Sequence, residues 1–280
     1  MLNKFAFSMG QNINRVLFVN SEMAPYLPDS DFSCAAKTLA QGIQEKKVEI
    51  RSFMPRYGLI NERKHQLHEV IRLSGMNIVI DDVDRPLIIK VASLPSARMQ
   101  VYFIDNDDFF RRKALYGESE DKFFKDNGAR AIFFARGVLE TVKKLRWSPD
   151  VIHCSGWISH VLPIYLKKYY KDDPIFSSSK VVLNLVNDTE GKSFEKNFAD
   201  AVTFQGIARE DVAILENPTG TNLAKLAIDY SDGVIAGAAD TPKEVMEYAK
   251  NKGIPTLEFT AEKLADGSFV DTYHDFYNSL

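Results

Sequence analysis

Cysteine, net charge and long apolar runs are all scarce in this sequence. Only Cys34 and Cys154 occur among the 280 residues, which leaves no disulfide framework and no zinc-binding spacing. The net charge is −3 and lysine and arginine form no dense run, so we expect no nucleic-acid partner. No apolar stretch approaches the length of a membrane span, and residues 1–14 lack the features of a secretory signal. These absences predict a cytoplasmic protein without a membrane partner.

Several common catalytic signatures are also missing. There is no glycine-rich dinucleotide loop after the first apolar run and no Walker A loop, which argues against a dehydrogenase or a P-loop enzyme. Ser155-Gly156-Trp157 does not form the Gly-x-Ser-x-Gly elbow of hydrolases. The acidic pairs Asp29/Asp31 and Asp82/Asp84 could bind a divalent metal, but such pairs are frequent in turns. We therefore predict no metal site and no cofactor.

Strand-like and helix-like patterns alternate along the chain. Residues 15–20 and 151–154 are short apolar runs typical of buried parallel strands, and residues 126–145 show helical spacing of apolar side chains. Between residues 67 and 94, three short β-like runs separated by turn residues indicate an antiparallel insertion. The pattern predicts an α/β fold with a parallel sheet. Because no low-complexity linker interrupts it, we expect one domain over residues 15–280 after a short extension, residues 1–14.

Two helix starts are predicted from capping signals. Ser33 precedes a stretch of helical periodicity, residues 34–47, and can cap it. Thr241 is followed by Pro242 and Glu244, a combination that predicts a capping box with proline at the first helical position.

Short segments in a fixed order resemble one known family. The segments are residues 21–25, residues 54–58, Tyr116-Gly117, Asp126-Asn127 with Arg130, residues 147–153, Trp157 and Pro163. Taken in this order, they resemble the N-terminal domain of the glycogen and starch synthases, retaining glucosyltransferases of the two-domain GT-B architecture. The likeness runs over residues 15–239. It implies a Rossmann-like parallel sheet sandwiched by helices.

The loop that binds the donor phosphates in that family has a different character here. The family loop reads Lys-Thr-Gly-Gly-Leu, and the resemblance places it at residues 28–32, which begin with Pro28 and include Asp29 and Asp31. One like-charge contact at 4 Å costs roughly 1 kcal/mol in water and about 4 kcal/mol at an effective dielectric constant of 20. We therefore expect this loop to repel a diphosphate.

Other family site positions are changed as well. The acidic residue after the phosphate loop corresponds to Cys34, and the sugar-contacting aspartate of a His-Asp-Trp-His signature corresponds to Gly156. The histidine beside the transferred glucose corresponds to Val186, and a tyrosine corresponds to Phe124 or Lys125. The donor-binding arginine, lysine and glutamate of the family's C-terminal domain have no counterpart in the sequence. The resemblance therefore predicts no catalytic residue in this chain.

Three retained residues are candidates for substrate binding. Asn187 remains from a family His-Asn pair, although it could equally be a turn residue at a strand end. Trp157 could contact a sugar, or it could pack in the core as the first residue of an amphipathic helix. Glu22 could contact a ligand or pair structurally with Arg56.

The leading functional hypothesis is a non-catalytic binding or regulatory module in glycogen or glycan metabolism, with a glucan or sugar as ligand. Its exposed cleft face would bind a second copy of the chain or a separate synthase-like subunit. The alternative is a glucosyltransferase that moves glucose from ADP-glucose to an α-1,4-glucan and needs a separate C-terminal half. A third hypothesis, binding of another phosphorylated or acidic ligand, is opposed by the acidic loop.

Overall fold

A computed structural model describes residues 12–94, 97–119 and 122–280. The strands are β1 (Arg15–Asn20), β2 (Glu49–Pro55), β3 (His68–Glu69), β4 (Met76–Ile80), β5 (Val83–Leu94), β6 (Met99–Asp105), β7 (Gly117–Ser119), β8 (Lys122–Phe123), β9 (Val151–Ser155), β10 (Lys180–Leu185), β11 (Gly233–Ala236) and β12 (Thr256–Leu257). The helices are α1 (Asp31–Glu45), α2 (Asp107–Phe110), α3 (Asn127–Leu145), α4 (Leu162–Ile164), α5 (Phe198–Val202), α6 (Gly220–Asp229), α7 (Lys243–Asn251), α8 (Ala261–Asp266) and α9 (Phe269–Asn278). None of the helices in the described ranges is both long and apolar enough to cross a membrane.

The central sheet is mostly parallel and flanked by helices, which confirms the predicted fold class. Its strand order is β12-β11-β10-β9-β1-β2-β6-β5-β3, with β4 paired to β5. Strands β1, β2, β6, β9, β10, β11 and β12 all pair in parallel. The side chains of Val16, Leu17, Phe18 and Val19 in β1 are completely buried because helices cover both faces of a parallel sheet.

The antiparallel insertion lies where the sequence predicts it. Strand β5 pairs antiparallel with β6, β3 and β4. Asp81 and Asp82 form the two-residue turn between β4 and β5, and both have positive φ, +49° and +58°. This is the backbone geometry of a type I′ hairpin, for which aspartate is one of the favoured residues.

Both predicted helix caps are wrong in detail. Helix α1 begins at Asp31, and its cap is Ser30: the Ser30 hydroxyl accepts from the Ser33 N–H at 3.1 Å, while the Ser33 hydroxyl accepts from the Ser30 N–H at 3.0 Å. Ser33 is therefore the reciprocal partner in a capping box. Thr241 does not cap α7, because its hydroxyl lies 2.9 Å from the Leu185 carbonyl oxygen and so joins the loop to β10.

The last helix packs on the first. A Cβ on Gly42 of α1 would lie 2.6 Å from Cγ1 of Val270 in α9, so glycine permits this close approach. Lys46, directly after α1, pairs with Asp271 of α9. Of the predicted N-terminal extension, residues 1–11 lie outside the described residues, and the Ile13 N–H donates to Oδ1 of Asn278 in α9 at 3.0 Å.

Candidate functional site

The candidate site lies at the carboxyl edge of the parallel sheet. Asn20, the last residue of β1, is in register with Ser155 of β9, and Ser155 is in register with Asn184 of β10. The loops after these strands therefore meet, which brings Glu22, Trp157 and residues 186–188 to one edge. In open α/β sheets, ligands bind at this edge.

Trp157 is completely buried below the site. Its ring lies 5.4 Å from Tyr116, 5.3 Å from Phe123 and 5.4 Å from Phe194, measured between ring centroids. Trp157 begins a 3-10 turn, Trp157–Ser159, and the prediction that it opens an amphipathic helix is wrong. The core-packing interpretation fits this geometry, and contact with a sugar remains a prediction.

Glu22 is half-buried, and its partner is Tyr116. The Tyr116 hydroxyl donates to Oε1 of Glu22 at 2.6 Å. Burial raises the pKa of the Glu22 carboxyl group, although the hydrogen bond from Tyr116 opposes the rise. Arg56 pairs instead with the buried carboxylate of Asp105, with 2.9 Å between Nε and Oδ1. The proposed Glu22–Arg56 pair is therefore wrong, and Glu22 is hydrogen-bonded to Tyr116 at the edge of the sheet.

Asn187 is held within its own turn. Its side-chain N–H donates to Oε2 of Glu190 at 2.8 Å, and its Oδ1 is buried with no hydrogen-bond partner among the described residues. Val186, at the position of the family histidine, is half-buried. The turn interpretation and the ligand interpretation of Asn187 are both compatible with this geometry.

Asp188 is the residue that local sequence patterns miss. Its Oδ2 accepts from the Trp157 backbone N–H at 2.8 Å. Burial raises the pKa of Asp188 to about 7; the Trp157 hydrogen bond lowers it, and the negative charge of Glu22 raises it further. It lies three residues beyond the end of β10, and its partner Trp157 is 31 residues away in the sequence.

Side chains of the acidic loop before α1 already bond to the N-terminus of that helix and place negative charge there. Pro28, Asp29, Ser30 and Asp31 are exposed. A helix N-terminus attracts anions through free N–H groups and the helix dipole. Here the Ser33 N–H is already bonded to the Ser30 hydroxyl, and Asp31 places a negative charge in the first turn. Both features make this end of α1 a poor phosphate site.

The retained Asp126, Asn127 and Arg130 motif holds the fold together. Asp126 forms a bidentate ion pair with Arg112, with both N–O distances 2.6 Å. The Arg130 guanidinium is completely buried and donates to the carbonyl oxygens of Phe109 and Leu115. Since these groups are already satisfied by the protein, the motif supports the edge of the site from below.

A second helix N-terminus at this side is filled by a carboxylate of the chain itself. The Glu195 carboxylate accepts from the backbone N–H groups of Gly128 and Ala129, at 3.0 and 2.8 Å. Burial is the main cause that raises the Glu195 pKa, and these hydrogen bonds lower it. This carboxylate caps α3, whose own Asp126 side chain makes no capping bond.

Between α1 and the segment around α8 lies a small cavity of about 30 Å³, with Phe32, Asn184, Phe259 and Lys263 in its wall. A volume of this size accommodates one or two water molecules, and a sugar ring is much larger. No group of three or more His, Cys, Asp or Glu residues in the described ranges is arranged to hold a metal ion.

A mostly parallel sheet flanked by helices, with polar loops gathered at its carboxyl edge, is a Rossmann-like α/β architecture, and it matches the fold of a GT-B domain. Residues 15–257 match the family model of the starch synthase catalytic domain. The chain therefore belongs to the glycogen/starch synthase family.

Individual relatives agree with this assignment. The chain is 32% identical to glycogen synthase of Chlorobium limicola over 81% of this chain and 48% of that protein. It is 31% identical to glycogen synthase of Chlorobaculum parvum over 97% of this chain and 54% of that protein. The catalytic domain of starch synthase IV from Arabidopsis thaliana has the same fold, with a TM-score of 0.68 at 17% identity over 89% of this chain and 51% of that chain. The chain thus spans about half the length of these relatives.

Proposed function

We propose that this domain binds a neutral α-glucan or a related sugar at the carboxyl edge of its sheet, as a non-catalytic binding or regulatory module of glycogen metabolism. The observation that carries the proposal is the N-terminus of α1. It has no lysine, it presents Asp29 and Asp31 to solvent, and its Ser33 N–H is bonded to Ser30.

Glucosyl transfer from a sugar nucleotide needs positive groups that stabilise the departing diphosphate. The acidic side chains identified at this edge carry the opposite charge. Glu22 and Asp188 add two carboxylates to the two aspartates of the loop. Ionised carboxylates only accept hydrogen bonds, so they suit the hydroxyl groups of an uncharged sugar and repel phosphate.

Glu22 and Asn187 are the proposed ligand-binding residues of this module. Glu22 is half-buried and oriented by Tyr116, while Asn187 has a buried carbonyl oxygen without a partner among the described residues. Trp157 would act from below by fixing the aromatic cluster on which these loops rest. The related starch synthase IV domain was solved bound to ADP and acarbose, which makes acarbose a suitable probe.

Calorimetric titration of the purified protein tests the proposal. We expect heat of binding with maltoheptaose or acarbose and none with ADP-glucose at the same concentration. A Glu22→Gln variant should bind the glucan more weakly, whereas Glu210→Gln, on the exposed surface, should bind as the wild type does. Binding of ADP-glucose, or no binding of either saccharide, would contradict the proposal.

The second candidate function is glucosyl transfer from ADP-glucose to an α-1,4-glucan with a separate C-terminal half. The observation in its favour is that the curated relatives are named glycogen synthase and match over about half of their length. Incubation with labelled ADP-glucose and glycogen, with and without the C-terminal half of such a relative, separates the two functions. Incorporation well above a boiled control would favour the enzyme.

We also propose that the cleft face binds a second copy of the chain or a synthase-like subunit. In a two-domain arrangement, this edge would face another domain. Sedimentation velocity tests self-association, and we expect a dimer at micromolar concentration. A strict monomer that also fails to bind the C-terminal half of a relative would count against the interface.

A further inference from the structure

The loop between β10 and α5, residues 186–197, is bonded to the start of helix α3 through Glu195. The Glu195 carboxylate accepts hydrogen bonds from the backbone N–H groups of Gly128 and Ala129, one to each oxygen, at 3.0 and 2.8 Å. These are the second and third residues of α3, and N–H groups in the first turn of a helix have no acceptor within the helix. The two bonds join segments that are 67 and 66 residues apart in the sequence.

Glu195 caps α3 because the residue that precedes the helix is bonded elsewhere. Asp126 forms a bidentate ion pair with Arg112, and its side chain makes no capping bond. Gly128 provides space for the distant carboxylate, since a Cβ there would lie 2.6 Å from Oε1 of Glu195. A negative charge at a helix N-terminus also interacts favourably with the helix dipole. The cap of α3 is therefore supplied by the loop after β10.

Phe194, next to Glu195 in the chain, closes the aromatic cluster around Trp157. Its ring centroid lies 5.4 Å from that of Trp157 and 5.4 Å from that of Phe123. Its backbone N–H donates to the Pro218 carbonyl oxygen at 2.8 Å. Because Trp157 is completely buried, a displacement of Phe194 would uncover part of its ring.

The start of α3 also supports Glu22. The side chain of Asn127, the first residue of α3, donates to the Tyr116 carbonyl oxygen at 2.8 Å. The Tyr116 hydroxyl donates in turn to Oε1 of Glu22 at 2.6 Å. A hydrogen-bonded series therefore runs from Glu195 through the first turn of α3 and Tyr116 to Glu22.

We propose that Glu195 is a positioning residue of the candidate site, which fastens the loop after β10 to α3 and so fixes both Phe194 and Glu22. It acts through these residues, because both of its carboxylate oxygens are bonded to α3. The inference rests on the proposed function, since Glu22 is one of the residues that would bind the saccharide.

Two substitutions of Glu195 test these bonds, with one matched control. Glu195→Gln keeps the shape but leaves a single acceptor oxygen and turns an NH₂ group towards a backbone N–H, whereas Glu195→Ala removes both acceptors. Asp150→Ala is the control. The Asp150 carboxylate also accepts from two consecutive backbone N–H groups, those of Asn14 and Arg15, but at the amino end of the sheet.

Amide hydrogen exchange and fluorescence quenching report on the loop without a ligand. In Glu195→Ala we expect the Gly128 and Ala129 amides to exchange at least about tenfold faster, because their hydrogen bonds to a charged group are lost. Glu195→Gln should show a smaller increase. In a Trp147→Phe background, which leaves Trp157 as the one tryptophan, acrylamide should quench Glu195→Ala more strongly. Asp150→Ala should change neither measurement, and unchanged exchange and quenching in both Glu195 variants would overturn the inference.

Calorimetric titration with maltoheptaose then tests the link to the ligand. We expect binding to Glu195→Ala to be weaker by about fivefold or more, and binding to Asp150→Ala to match the wild type. Because such coupling is reciprocal, maltoheptaose should slow exchange of the Gly128 and Ala129 amides in the wild type. Faster exchange with unchanged affinity in Glu195→Ala would overturn the positioning role and leave the proposed function standing. A wild type that binds no saccharide would overturn the proposed function and the positioning role with it.

Discussion

The Tyr277 hydroxyl lies 2.8 Å from Nδ1 of His153, so the last helix is hydrogen-bonded to a central strand of the sheet. Both residues are buried. Burial lowers the pKa of His153 to about 3, so at neutral pH the imidazole is uncharged and Nδ1 shares one hydrogen bond with the phenol hydroxyl. The bond joins the C-terminal helix α9 to β9, the strand that leads into the candidate site.

Removing this hydroxyl should destabilise the protein. In Tyr277→Phe the buried Nδ1 loses its hydrogen-bond partner, and we expect a loss of about 1–2 kcal/mol in the free energy of unfolding. Tyr273→Phe is the matched control, because Tyr273 packs against the same imidazole through its ring at 6.1 Å. Urea denaturation measures both. Equal losses in the two variants would show that the hydroxyl bond contributes nothing specific.

Two buried histidines should make the protein sensitive to acid. Burial lowers the pKa of both His153 and His160 to about 3, against about 6.5 in an unfolded chain. The unfolded state therefore takes up protons first as the pH falls, and stability should decrease from pH 6.5 towards pH 3, by about 2 kcal/mol per histidine at pH 5.

His160 allows this effect to be isolated, because neither ring nitrogen has a hydrogen-bond partner among the described residues. His160→Leu should therefore gain stability relative to the wild type as the pH is lowered from 7 to 5. His68→Gln, at an exposed position, should show no such change. Thermal unfolding across this pH range provides the measurement, and parallel curves for the wild type and His160→Leu would refute the assignment.

The sequence predicts the sheet well because the relevant patterns are local. Buried apolar runs such as Arg15–Asn20 indicate parallel strands, and Asp81-Asp82 supplies the turn of the insertion. No local pattern predicts Asp188, since its partner Trp157 is 31 residues away and the space beside Gly156 is defined only by the meeting of three loops. Burial of Trp157 likewise depends on aromatic neighbours from distant segments.

Substitution of Gly156 should be more costly than its backbone conformation alone implies. Gly156→Ala places a Cβ 2.2 Å from the Ser21 hydroxyl at a φ of +83°. We expect a loss of roughly 2–4 kcal/mol, from backbone strain and the clash together. Gly253→Ala is the control, because its φ is +73° with nothing within 4 Å of the new Cβ, and it should cost about 1 kcal/mol. If adding Ser21→Gly to Gly156→Ala restores part of the lost stability, the loss arises from the clash with Ser21.

Asp188 should destabilise the fold at neutral pH. The pKa of Asp188 is about 7 in the folded state, above the ordinary value of 3.8. Its contribution to the free energy of unfolding is therefore most favourable below pH 3.8 and is lost as the pH rises through 7. Asp188→Asn should therefore be more stable than the wild type at pH 8, by roughly 2–4 kcal/mol, with the difference shrinking towards pH 4. Because both proteins have the same histidines, the pH dependence of the difference in their stability comes from Asp188. A pH-independent difference would contradict the pKa assignment.

Substitutions that restore a phosphate-binding loop before α1 test whether this loop prevents ADP-glucose binding. In Pro28→Lys/Ser30→Gly/Asp31→Gly a cation is added, one acid is removed, and the Ser33 N–H is released from the Ser30 hydroxyl. Glycine at a helix cap costs only a few tenths of a kcal/mol, so the variant should fold. We expect weak ADP-glucose binding that falls with added salt, absent in Asp172→Lys, which changes the net charge by the same amount elsewhere. If the triple variant gains no affinity for ADP-glucose, the charge of this loop is not the sole reason for weak donor binding. Changes at other positions, such as Val186, would then contribute as well.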